Sequence, residues 1–220
     1  KKAIVDNINA LIFQGAEDLM PLGADNTSGY GKINVENVFL RFLKATNRNK
    51  RFDFANSKEG WFYYAIPEKF TAGEGIYDNG KLTIKSVDSN TYGTWESPLI
   101  VFDPDKKANL NTGKIYIARF NISTSVINPN KFPGFRLRAN SKNNTVAAVR
   151  DFNANSGNSH FPSSAGKDFF LVINPSDTEI MSGIYLSFDL VNFDATKDPK
   201  GDLSLDYVEV IECNSPMPTP

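Results

Sequence analysis

Between residues 51 and 212 the sequence is built of about ten short segments rich in branched and aromatic residues. The segments are 51–54, 61–66, 81–87, 97–102, 114–123, 134–139, 145–152, 168–173, 183–191 and 202–211. Turn signals such as Asp78-Asn79-Gly80 and Asn128-Pro129-Asn130 separate several of them, and no helical period lies between them. This pattern predicts a mainly β fold, a jelly-roll β-sandwich of about ten strands.

The first 47 residues have a different pattern, which predicts a short two-helix segment. Ile4, Ile8 and Leu11 follow a spacing of three and four, and this first helix is expected to run into 16–19. A second helix is expected after Asn34, with an apolar side formed by Val35, Val38, Phe39, Phe42 and Leu43.

The polar stretch 46–50 is interpreted as the boundary between two parts of the chain. The predicted organisation is a helical segment at 1–47, the β-sandwich at 51–212 and a Pro-rich linker or tail at 213–220. We expect the natural protein to continue beyond both ends of this sequence.

Charge and composition exclude several classes of function. The chain has 24 Lys+Arg, 25 Asp+Glu and a pI near 5.9, so it lacks the basic excess of a general nucleic-acid binder. No apolar run approaches the roughly 18 residues that a membrane span needs, and no membrane insertion is predicted. A single cysteine excludes an internal disulfide, and a single histidine excludes a histidine-rich metal site.

Two motifs in the helical segment carry a resemblance to a known family. Gly15-Ala16-Glu17-Asp18 matches a small-residue stretch that ends a helix, and Gly29-Tyr30-Gly31-Lys32-Ile33-Asn34 matches a Gly-x-Gly-x-hydrophobic-Asn turn before a last helix. Residues 1–47 therefore resemble the C-terminal end of a subtilisin-like serine peptidase domain. The resemblance implies an upstream peptidase domain as a partner and a secreted protein.

The catalytic residues of that family are missing from this chain. The family's Asp, His and Ser lie upstream of the matched region, and its Gly-Thr-Ser-Met stretch is absent here. The single histidine, His160, lies far inside the β segment, so no base can be paired with a nucleophile from the sequence. We therefore predict that this chain is not an enzyme.

A rival interpretation treats 26–37 as a calcium loop of the EF-hand or dockerin type. Asn26, Gly31 and Asn34 fit positions 1, 6 and 9 of such a loop. Tyr30 at position 5 and Asn37 in place of the bidentate acid leave too little negative charge to hold Ca²⁺ well.

The two ends of the β segment carry a second, looser resemblance. Its opening, 51–61, and its close, 201–210, resemble the first and last strands of galactose-binding-like jelly rolls, which include many carbohydrate-binding modules. The resemblance implies a structural Ca²⁺ held by one acid from each strand, and Asp53 and Asp206 match those positions. The alternative is that both are solvent-facing acids at strand ends.

Alternation within three of the predicted strands suggests a binding surface. If these strands share one sheet, its outer face carries Arg119, Arg136, Arg138, Tyr185 and Asp189. Arginine forks can grip hydroxyls or carboxylates, and tyrosine offers a stacking face, so this face is predicted to bind an acidic or neutral sugar or a peptide. The alternative is an ion-pair ladder that keeps a sheet face soluble.

The two tryptophans, Trp61 and Trp95, are further candidates for sugar stacking, and the alternative places both in the core. The leading hypothesis is a secreted, non-catalytic accessory region whose sandwich binds glycan or a cell-surface polymer, or supports the peptidase. A structural or adhesive surface protein with no peptidase link is the second hypothesis.

Overall fold

The computed structural model describes residues 16–17, 32–33, 45–65, 70–101, 114–126, 133–152, 162, 164–173, 183–191 and 200–214. The chain divides into two compact units. One consists of Lys1–Thr46 with Cys213–Pro220, and the other is Asn47–Glu212. No helix in the described ranges is long and apolar enough to cross a membrane.

The first unit contains two short strands where helix and turn were predicted. Strand β1 (Ala16–Glu17) pairs antiparallel with β2 (Lys32–Ile33), with Ala16 opposite Ile33. The prediction of a helix running through 16–19 is therefore corrected at 16–17, where pairing across to β2 replaces bonding along the chain. The rest of the two helices, most of the peptidase-like motifs and most of the 26–37 loop lie outside the described residues.

Two six-stranded sheets make up the β part of the chain, which confirms the mainly β prediction. The strands are β3 (Ala45–Phe52), β4 (Phe62–Tyr64), β5 (Thr71–Ala72), β6 (Glu74–Asp78), β7 (Lys81–Lys85), β8 (Thr91–Glu96), β9 (Lys114–Thr124), β10 (Phe135–Ser141), β11 (Val146–Phe152), β12 (Lys167–Ile173), β13 (Ile184–Val191) and β14 (Leu203–Asn214). Strands β3 and β14 extend into the stretches predicted as a boundary and as a linker.

Sheet I has the strand order β11-β10-β13-β8-β4, and β5 also pairs with β8. Sheet II has the order β12-β9-β14-β7-β6, and β3 also pairs with β14. Neighbours in sheet I are antiparallel except for β5 and β8, which run parallel. Most neighbouring strands are distant in sequence, as in β8 against β13.

The core lies between the two sheets because alternate side chains of each strand point to the same face. In β10, Phe135, Leu137 and Ala139 are buried in it, and in β9 Tyr116, Ala118 and Phe120 are buried in the same cluster. These residues alternate with Arg136, Arg138 and Arg119, which the sequence predicts on an outer face. The ring of Phe135 stacks on Phe152 of β11 at 4.6 Å and meets Phe169 of β12 edge-on at 5.0 Å.

The connection between β6 and β7 is the two-residue turn that the sequence indicates. Asp78 lies opposite Lys81, and both Asn79 and Gly80 have positive φ, at 50° and 74°. Positive φ at both central residues is typical of a type I′ hairpin turn, which favours Asn-Gly. By contrast, the described part of the strand predicted at 97–102, residues 97–101, forms an isolated bridge between Ile100 and Ile184 and no named strand.

Candidate functional site

The outer face of sheet I, here called the sheet I face, gathers four of the five residues predicted to share a surface. Arg136 of β10 lies opposite Asp189 of β13, and Arg138 lies opposite Ser187. Tyr185 comes two residues before Ser187 in β13 and lies opposite Asn140. Arg119 does not belong to this face, because its strand β9 is part of sheet II. The predicted surface is corrected by removing Arg119 from it.

Both arginines of the sheet I face are engaged by carboxylates. Arg136 donates to Asp151 through Nε at 2.6 Å and through Nη2 at 3.1 Å, which makes a two-point fork. Arg138 donates to Asp189 through Nη2 at 3.0 Å, and its Nε lies 2.8 Å from Oδ2 as a contact between charges without hydrogen-bond alignment. Neither guanidinium is left free to grip an anion.

Asp189 lies beneath the surface of this face and is 0% exposed. Burial raises the pKa of its carboxyl, and the Arg138 guanidinium and the Thr94 hydroxyl act in the opposite direction. Thr94 donates to Asp189 at 2.9 Å and also lies 3.1 Å from the hydroxyl of Tyr92. These contacts tie β8, β10 and β13 together through side chains as well as backbone.

Glu96 is a second carboxylate on the sheet I face. Its Oε2 accepts hydrogen bonds from the hydroxyl of Tyr64 at 3.4 Å and from that of Ser187 at 3.3 Å. Burial, with the nearby charge of Glu96, raises the pKa of Tyr64 to about 12, so this hydroxyl remains a donor at neutral pH. Among the described residues Glu96 has no cationic partner, so within this part of the chain its charge is not balanced by an ion pair.

A row of aromatic side chains lies beside these polar groups. It was not predicted from the sequence. Phe62 and Tyr64 lie opposite Glu96 and Thr94 of β8, and their rings stack at 5.8 Å. Tyr92 continues the row and stacks on Phe70 at 5.6 Å. The row follows β8 from Glu96 to Tyr92, which is about 13 Å at roughly 3.3 Å per residue. Phe62 is 47% exposed, so the row is open to a ligand at this end.

The tryptophans predicted as stacking platforms lie in the core instead. Trp61 and Trp95 are each 2% exposed. Trp61 packs edge-on against Phe52 and Phe54, and the indole N–H of Trp95 donates to the carbonyl of Thr83 at 3.1 Å. Neither ring presents a face to a ligand, because Trp95 points inward from β8 while its neighbours Thr94 and Glu96 point outward.

The outer face of sheet II has the ion-pair arrangement of the alternative interpretation. Arg119 pairs with Glu209 and lies 3.7 Å from Asp168. The Arg51 guanidinium lies 4.1 Å from the centre of the Tyr207 ring and 3.9 Å from Glu209. Cations, anions and aromatic surface on this face are matched to each other, so it offers little that a ligand could bind.

Asp53 and Asp206, the predicted calcium ligands, have other partners in the structure. The Asp53 carboxylate accepts the backbone N–H of Ala55 at 3.1 Å, and Asp206 lies 2.7 Å from the ammonium of Lys81. Ca²⁺ takes six to eight oxygen ligands. In the described ranges no group of three or more His, Cys, Asp or Glu side chains is placed to hold a metal. The two residues thus do not fit the implied Ca²⁺ site.

We expect the melting temperature to be the same in EDTA and in Ca²⁺, because the Lys81 ammonium already neutralises Asp206. Differential scanning calorimetry in the two buffers measures this directly. A clear rise in melting temperature with Ca²⁺, lost in Asp206→Asn, would restore the predicted calcium site.

A groove of about 520 Å³ lies elsewhere in the second unit. It is lined by Lys50, Phe52, Glu59, Pro98, Leu99, Ile100 and Val101. Its walls are mostly aliphatic and it has one charge of each sign, so it lacks the ordered polar and aromatic rows of the sheet I face.

No family model matches the sequence, and no curated protein matches it. Among solved structures it is similar to one described as "CBM4 structure and function", at TM-score 0.45 and 14% identity over 74% of this chain and 94% of that chain. It is also similar to a "xylan-binding module CBM15" (TM-score 0.45, 12% identity, 76% and 97% covered) and to a lectin from Bauhinia forficata in complex with GalNAc (TM-score 0.43, 10% identity, 76% and 98% covered). At these identities and TM-scores the likenesses assign no function.

Proposed function

We propose that this protein is a non-catalytic, glycan-binding β-sandwich of the jelly-roll type, and that the sheet I face is its binding surface. The proposal places it outside the cell, where polymeric glycans are accessible. The observation that carries the proposal is the row formed by Phe62, Tyr64 and Tyr92 beside the polar groups of Glu96, Thr94 and Asp189 on one face.

Sugar rings have an apolar face and a rim of hydroxyls, so they need two kinds of surface at once. The aromatic row supplies stacking area, and rigid aromatic side chains lose little conformational entropy on binding. The polar side chains beside this row supply acceptors and donors. Hydrogen bonds among them fix their positions, as in the contacts of Glu96 with Tyr64 and Ser187. A preorganised site loses less free energy to ordering when the ligand binds.

The structure and the comparisons give no support for the predicted link to a peptidase. The motifs that suggested it fall largely outside the described residues, and at Ala16–Glu17 and Lys32–Ile33 the structure has strands. His160 also lies outside the described residues. We therefore propose glycan binding without the accessory-peptidase role.

Phe62→Ala should weaken binding to a soluble polysaccharide by about tenfold, because it removes the most exposed ring of the row. The measurement is affinity electrophoresis followed by titration calorimetry with soluble glucan, galactan and mannan. The matched control is Val172→Ala, which removes exposed apolar surface from sheet II and should leave binding unchanged.

Three results would contradict the proposal. One is the absence of binding to any glycan by the folded parent. Another is equal binding by Phe62→Ala and the parent. A third is binding that is lost in Glu59→Ala but retained in Phe62→Ala, which would move the site to the groove that Glu59 lines.

A further inference from the structure

The positive and negative side chains of the sheet I face are not equal in number once its ion pairs are assigned. Arg136 is matched by Asp151 and Arg138 by Asp189, both within hydrogen-bond distance. Glu96 then remains as a carboxylate with two hydroxyl partners and no cation among the described residues. The described strands of this face therefore carry two arginines and three carboxylates, so this described part of the face has a net negative charge.

This charge pattern reverses what the arginines suggest when they are considered alone. An arginine fork recognises a carboxylate or phosphate only if its N–H groups are free to reach it. On this face an anion would have to displace Asp151 or the buried Asp189, and it would approach the uncompensated Glu96. Like charges repel each other, and this repulsion is strongest at low ionic strength.

The remaining polar atoms of the face favour a ligand that donates hydrogen bonds. A carboxylate such as Glu96 is an acceptor only. Asn140, which is 7% exposed, follows a register irregularity in β10, and its Oδ1 is buried without a hydrogen-bond partner. The Glu96 carboxylate has further lone pairs that can accept hydrogen bonds, and sugar hydroxyls are donors that bring no charge.

Resting on the proposed glycan-binding function, we infer that the sheet I face selects uncharged glycans and discriminates against uronates, and that Glu96 is the residue that determines this specificity. The arginines act as positioning residues that hold Asp151 and Asp189 in place. Glu96 accepts hydrogen bonds from the hydroxyls of the ligand, and its charge repels carboxylates.

The test compares one polymer in two charge states. The neutral hexose polysaccharide that binds the parent protein is oxidised at C6 to the uronate, and both forms are titrated into parent, Glu96→Gln and Glu74→Gln. Gln keeps an acceptor at position 96 and removes its charge. Glu74→Gln removes an exposed carboxylate from sheet II and is the matched control.

For the parent we expect binding of the oxidised polymer to be about tenfold weaker than that of the neutral polymer at low salt. The difference should shrink at high salt and in Glu96→Gln, and it should persist in Glu74→Gln. Equal or tighter binding of the oxidised polymer would overturn the inference and leave glycan binding intact. A difference that survives both high salt and Glu96→Gln would also overturn it, because shape would then be the cause. If no polysaccharide binds, the proposed function itself fails.

Discussion

Arg138→Met should lower the free energy of unfolding by about 3–5 kcal/mol, because it leaves the buried carboxylate of Asp189 without its cation. Asp189 is 0% exposed, and two of its contacts are to the Arg138 guanidinium, at 2.8 and 3.0 Å. Thr94 alone cannot compensate a buried charge. Urea denaturation at neutral pH, followed by tryptophan fluorescence, measures the loss.

The pH dependence of this variant should have a definite sign. Burial raises the folded-state pKa of Asp189 above its unfolded value, and the variant removes the cation that opposes this. A carboxyl whose pKa is raised by folding destabilises the fold as pH rises through that pKa, so the deficit should shrink as the pH is lowered.

The control for this prediction is the double variant Arg138→Met with Asp189→Leu, which should recover much of the lost stability because no charge remains buried. A loss below about 1 kcal/mol in the single variant would contradict the prediction and place this pair with ordinary surface ion pairs.

Phe135→Ala should also cost about 3–5 kcal/mol, through lost burial and the cavity that remains. Phe135 is 0% exposed and contacts Phe152 of sheet I and Phe169 of sheet II, so its ring joins the two layers. Phe188 is a third neighbour, at 6.3 Å. Equilibrium urea unfolding of the variant and the parent gives the difference.

Phe62→Ala is the matched control, because it removes the same side chain from an exposed position. Its unfolding free energy should stay within about 0.5 kcal/mol of the parent. If Phe135→Ala were as mild as Phe62→Ala, the two sheets could not share the core described above. The same pair separates the two roles, since Phe62→Ala should affect binding and Phe135→Ala stability.

Alternation predicted the long strands well, because it is a local property of each strand. Strands β9, β10 and β13 have the inward and outward residues that their sequences indicate. Strands β6 and β8 were missed because each contains a glycine, which disfavours a strand when it is considered alone. In the fold, the Tyr63 side chain leaves no room for a Cβ at Gly75 or Gly93, so glycine is required there by a neighbour distant in sequence.

The site was only partly predictable, because alternation tells which residues share a side but not which sheet a strand joins. Arg119 and Arg136 have the same local pattern, yet β9 and β10 lie in different sheets. Trp61 and Trp95 were predicted to stack on sugars from their residue type alone. The usable signal was the spacing of Phe62 and Tyr64 on either side of Tyr63, which places two rings on one outer face.

The place of β14 in sheet II has a consequence for how the chain is made. This strand lies near the C-terminal end of the sequence, yet it pairs with β9, β7 and β3, all of which precede it. During synthesis these three strands leave the ribosome well before the strand that joins them. Until then, the strand edges that pair with β14 stay unpaired. Sheet II can therefore close only after β14 has emerged, and such late, non-local pairing is typical of slow-folding β proteins that depend on protection from aggregation.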